Sequence, residues 1–197
     1  MVHKKNFIFP LAIIIISTLL FFNVAHTKTS FSGEQFKEGE YYRFLTFPFT
    51  HINFNHYYEN IIALAITAVL AFEIGITQFE YVFVFLLSSY FVGFTALLFF
   101  PGTSMAGTSV GIYAVLGALT IKGMQYLAKP IMIPLMIAPL FIKLIYNFFT
   151  CTSCMFSDAN QLLFHFGGFF IGYKAYHMYY LIKYKPKEET GKEDGVP

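Results

Sequence analysis

Six long apolar runs organise the chain. They cover Phe7 to about Val24, Tyr57 to Gly75, Tyr81 to Phe100, Ser109 to about Leu127, Ile131 to Phe149 and Gln161 to Ile182. Each approaches the roughly 20 mostly apolar residues that a helix needs to cross a bilayer. The pattern predicts an all-α polytopic membrane protein with six transmembrane helices, occupying residues 1–183. The remaining residues, 184–197, are rich in Lys, Glu, Gly and Pro and have almost nothing apolar to bury, so they read as a disordered tail. The first run follows Lys4 and Lys5, as a secretory signal would. It is long for a signal's apolar region and no A-x-A site follows, so it is read as a retained span.

Composition agrees. The 197 residues are 56% hydrophobic and only 12% charged, against about 25% charged in a soluble domain. A net charge of +2 is too small to argue for a nucleic-acid partner; the partner is the lipid bilayer. With the N-terminus inside, the inner segments hold Lys4, Lys5, Lys122, Lys129, Lys183, Lys185, Lys187 and Lys192, and the outer side holds Lys28, Lys37 and Arg43. That asymmetry predicts a cell-membrane protein with both termini in the cytoplasm. Lys143 and Lys174 fall within runs and are left out of the comparison. The long first external loop, Ala25 to Asn55, is crowded with Phe and Tyr and is suited to lying in the membrane interface. No internal repeat is evident.

Polar side chains in hydrocarbon are costly and mark function by default. Three clusters interrupt the runs. His51, His56 and Asn60 precede and enter the second run, and His56 and Asn60, four apart, share a helix face. Gly107-Thr108-Ser109-Val110-Gly111 opens the fourth run. This is formally a G-x-S-x-G string, here starting a membrane helix rather than a strand-to-helix elbow. Unsatisfied N–H groups and the positive end of the helix dipole at that start suit an oxyanion. Taken alone, Ser109 also reads as an N-cap among small packing residues. His165-Phe-Gly-Gly168 and Gly172 lie about one turn into the sixth run, the glycines forming a smooth face beside the histidine. Under the topology above, Ser109, His56 and His165 all lie near the external ends of their spans. A nucleophile, a base and oxyanion donors would then share one cavity opening toward the external face.

These residues resemble the rhomboid family of intramembrane serine proteases. Tyr42-Arg43 is similar to the family's Trp-Arg first-loop motif, with Tyr in place of Trp. His51, His56 and Asn60 match its H-x-x-x-x-H-x-x-x-N pattern. Gly107-Thr108-Ser109 matches the start of its G-x-S-G motif, and Tyr113 falls where a tyrosine packs on the catalytic histidine. Gly117 falls at a helix-packing glycine, and His165, Gly168 and Gly172 match its H-x-x-G-x-x-x-G. The resemblance runs from Glu40 to Gly172. It implies a rhomboid-like bundle and a Ser109–His165 dyad with no third acid, in an enzyme that needs no cofactor and no metal. It also implies an oxyanion hole of His56, Asn60 and the Ser109 N–H, with transmembrane-protein substrates. Two positions depart from the pattern. Val110 replaces a Gly or Ala and is expected to crowd the oxyanion loop or a facing helix. Glu59 is an unusual intramembrane carboxylate that faces either another helix or the cavity.

Two other readings stand beside the protease. One is a catalytically impaired rhomboid-like protein that binds transmembrane helices, which Val110 alone favours. The other is a transporter or metal site made of His51, His56, His165 and Glu59. The H-E-x-x-H string of zinc proteases is absent, as are the paired intramembrane aspartates of aspartyl proteases. Cys151 and Cys154 read equally as a disulfide or as two free thiols.

Overall fold

The computed structural model describes residues 7–25, 28–150 and 155–183. Cys151, Cys154, the 184–197 tail and the Lys4–Lys5 pair lie outside them. The described residues form α1 (Ile8–Asn23), α2 (Gly33–Lys37), α3 (Tyr42–Thr46), a 3-10 turn (Phe47–Phe49), α4 (Phe54–Glu73), α5 (Gln78–Phe99), α6 (Ser109–Gly123), α7 (Lys129–Thr150) and α8 (Met155–Lys183). Each of the six apolar runs becomes one long helix, offset by a few residues. By length and composition, α5 alone among the described helices passes as a complete membrane span. Ile8–Asn23, Ser109–Gly123 and Lys129–Ile142 are apolar over shorter lengths.

Local chemistry explains the offsets. α4 starts three residues before its apolar run because the Asn53 side chain accepts the His56 N–H at 2.9 Å and caps the helix. α5 starts early through a capping box, in which Thr77 Oγ1 accepts the Glu80 N–H and the Glu80 carboxylate accepts the Thr77 N–H.

α6 is the axle. Every residue from Ser109 to Gly123 except Lys122 is buried, as expected of a helix that is apolar all round. It packs most extensively against α8, and also against α4, α5 and α7. Glycines set the α6–α8 approach. A Cβ on Gly172 would collide with the Ala114 carbonyl oxygen, and one on Gly117 with the Phe169 carbonyl oxygen. Gly111 faces the Phe85 ring in the same way on the α5 side. Backbones meet this closely only through small residues.

Gly172→Ala should therefore lower the stability of the detergent-solubilised protein by about 1–3 kcal/mol, the usual cost of overpacking. Gly167→Ala is the control, because its new Cβ would meet Val92 Cγ2 at an ordinary 3.6 Å; there the gain in helix propensity leaves stability level or raised. Equal melting temperatures for both variants would show that close α6–α8 contact carries no energetic weight.

The first loop is folded. Phe31 is 1% exposed and forms an antiparallel bridge with Met105. The Gly33 N–H donates to Pro101 O at 2.9 Å. Phe47, equally buried, occupies the space left by the missing side chain of Gly93 on α5. Arg43 fastens the loop from within: its Nε donates to Glu40 Oε2 at 2.6 Å and its Nη1 to Ser30 O at 3.1 Å. The neighbouring Tyr42 ring, half-exposed, lies 5.6 Å from the guanidinium.

Candidate active site

Ser109 is the first residue of α6. The N-cap position belongs to Thr108, and no side chain caps this helix end, so Ser109 is not spent on capping. Its Oγ lies 2.9 Å from His165 Nε2, although 56 residues separate the two in sequence. Both residues are buried, at 8% and 7% exposure. The His165 ring rests on Tyr113, one helical turn below Ser109, with centroids 4.6 Å apart and planes tilted by 32°. Tyr113 therefore fixes the imidazole plane from the helix that carries the hydroxyl.

α4 supplies the opposing wall. Asn60 is buried, and its Nδ2 finds no acceptor among the described residues. A buried donor left in that state costs about 1–3 kcal/mol. Gly107 brings the loop close to it. Its φ of +118° is one that side-chain-bearing residues rarely adopt. A Cβ there would fall 2.8 Å from His56 Cε1, 2.9 Å from His56 Nε2 and 3.4 Å from Asn60 Nδ2. The Gly107 N–H donates to Phe47 O at 3.0 Å, so the first loop holds this backbone in place. As the first residue of a helix, Ser109 has a backbone N–H with no intrahelical acceptor.

His51 plays a supporting part. It is 1% exposed, with its ring edge-on to those of His56 at 5.3 Å and Tyr57 at 5.5 Å. Burial, and then the neighbouring His56, push its pKa down to about 3. It is a neutral wedge that steadies His56.

A cavity of about 320 Å³ joins these groups, with Ser109, His165, His56, Gly107 and Glu59 among its lining residues. Of the two placements open to Glu59, the cavity is the one observed. Asn53, Asn55, Ser104 and Gln161 also line the cavity and are additions to the residues read from sequence. Gln161 was legible, since it lies one turn before His165 on the same face of α8. Val110 is buried beside Phe31, Phe47, Met105 and Phe164. Gly168 gives it room: a Cβ on Gly168 would stand 3.0 Å from Val110 Cγ1 and 2.5 Å from Val110 O. The crowding expected from a branched residue is thus taken up on α8 rather than at the oxyanion loop. Among the described residues, no three of His, Cys, Asp or Glu converge as a metal-binding group.

The described residues thus form a helical bundle in which a buried serine–histidine pair lines a polar cavity. Residues 38–182 match the Rhomboid domain family, and the chain belongs to that family. Membership makes it a membrane protein of an intramembrane-protease-like family. No curated protein and no solved structure matches the chain.

Proposed function

We propose that the chain is an intramembrane serine endopeptidase, cleaving transmembrane-protein substrates in or near their spans with a Ser109–His165 dyad. The 2.9 Å contact between Ser109 Oγ and His165 Nε2, in a cavity that His56 also lines, carries this reading. His165 Nε2 takes the proton as Ser109 Oγ attacks the scissile carbonyl. The oxyanion is met by Asn60 Nδ2, the His56 side chain and the Ser109 N–H. His165 returns the proton to the leaving amine. It then activates the water that releases the acyl group from Ser109. The alternative, an impaired relative that binds transmembrane helices, draws on Val110 alone, and the packing of Val110 against Gly168 favours the protease over it.

In this proposal the six long helices all span the bilayer, both termini are cytoplasmic and the cavity opens externally. In a background lacking Cys151 and Cys154, a cysteine at position 55 should react with an impermeant reagent on intact cells. One at position 187 should react only after permeabilisation. The reverse pattern would invert the topology. The catalytic reading is tested by incubating purified protein in detergent with a generic single-span substrate, beside Ser109→Ala. Cleavage by the wild type alone supports it; equal cleavage or none in both counts against it.

A further inference from the structure

We infer that Glu59 makes the protease selective for a basic substrate side chain, lysine or arginine, held in the cavity beside the scissile bond. The inference rests on the proposed protease reading and specifies its substrate class. Glu59 lies on α4, three residues after His56 and next to Asn60. Its side chain is exposed and lines the same cavity of about 320 Å³ as Ser109 and His165. Among the described residues lining that cavity, Glu59 is the one carboxylate, and neither Lys nor Arg is present. Among the described residues Glu59 also makes no ion pair. The remaining polar walls, Asn53, Asn55 and Gln161, are uncharged.

Helix α4 carries another first-turn-to-last carboxylate, Glu73, at the far end from this cavity. Glu59 differs in lining the cavity that also holds the Ser109 hydroxyl. A carboxylate in a partly enclosed site attracts a cation more strongly than one in open water, because screening is weaker there. It repels a substrate carboxylate for the same reason. Glu59 and His56 on α4 and Gln161, Phe164 and His165 on α8 line the cavity together with Ser109 on α6. A peptide whose carbonyl lies over Ser109 Oγ therefore directs a neighbouring side chain along the α4 wall. Lysine and arginine suit that wall, with an apolar stem that packs and a charged head that meets the carboxylate. Small neutral residues fit the space without gaining the ion pair.

The test uses the full-length protein in detergent and a set of single-span substrates. The set is identical except for Lys, Ala or Glu at each position within three residues of the cleaved bond. The readout is the ratio of kcat/KM between substrates, which cancels any general loss of activity in a variant. For wild type, one position should show Lys favoured over Glu by about tenfold, the combined scale of one exposed attraction gained and one exposed repulsion avoided. That ratio should fall to within about twofold in Glu59→Gln. It should reverse in Glu59→Lys, where the Glu-bearing substrate becomes the better one. The reversal is a gain of relative activity that a merely weakened fold does not produce. Fluorophosphonate labelling of Ser109 is followed in parallel. Labelled, active wild type with no charge preference, or a preference that survives in Glu59→Gln, overturns the assignment of Glu59 and leaves the protease reading intact. Wild type that neither labels nor cleaves overturns both.

Discussion

Ser109→Ala is expected to lower cleavage of a single-span substrate by at least about 10⁴-fold, and His165→Ala by a similar factor. The two groups act through one contact of 2.9 Å, so the double variant should be no slower than either single one. A fluorophosphonate should label the wild type at Ser109, and the label should vanish in Ser109→Ala. The rate should also show an acid limb between about pH 5 and 8, because an imidazolium cannot accept the serine proton. His51 does not contribute to that limb, since its pKa is held down at about 3 and it is neutral throughout. A label mapped to another residue would remove Ser109 from its role. A flat pH profile with chemistry rate-limiting would remove His165.

The candidate site was legible because intramembrane polarity is sparse. Ser109 opens one apolar run, His56 directly precedes another, which Asn60 interrupts, and His165 interrupts a third, so each asks for a reason. The glycines were legible for a related cause. Gly117, Gly168 and Gly172 recur on helix faces where a side chain would hold two backbones apart, and a Cβ on any of them would collide with the facing helix. Each apolar run also lies close to one long helix among the described residues.

What was not legible depended on tertiary partners or on short polar signals. The early starts of α4 and α5 come from Asn53 and Thr77, which lie outside the apolar runs and act through single hydrogen bonds. The first loop reads as a string of aromatics, yet its order comes from contacts far along the chain: Phe31 with Met105, Phe47 with Gly93, and Gly33 with Pro101. Its consequence for the site, the Phe47 carbonyl holding the Gly107 N–H, has no local signature at all. Which neighbour Val110 packs against was hidden for the same reason. A branched residue beside the nucleophile suggests crowding until the glycine that faces it from α8, 58 residues later, is known.

Asn60→Ala should reduce kcat for a transmembrane substrate by about 10²–10³-fold, or roughly 3–4 kcal/mol of transition-state stabilisation, with substrate binding little altered. The direction follows from Asn60 Nδ2, a buried donor that finds no acceptor among the described residues. Removing it takes away an interaction made only when the oxyanion forms, and it relieves a desolvated donor in the resting protein. Stability should accordingly stay level or rise while the rate falls. A purely structural Asn60 would give the opposite pairing, a lower melting temperature with kcat unchanged. His56→Ala should also slow the reaction. The double variant should lose less than the product of the single losses, because the Ser109 N–H remains and groups acting on one oxygen are not additive. Gly107→Ala probes the same hole without deleting a donor. Its φ of +118° disfavours any side chain, and the new methyl group would press on the His56 ring at 2.8 Å. Displacing His56 and Asn60 together should cost at least as much rate as Asn60→Ala. If Asn60→Ala, His56→Ala and Gly107→Ala all turn over substrate at the wild-type rate, the α4 residues are scaffolding and the oxyanion is stabilised elsewhere.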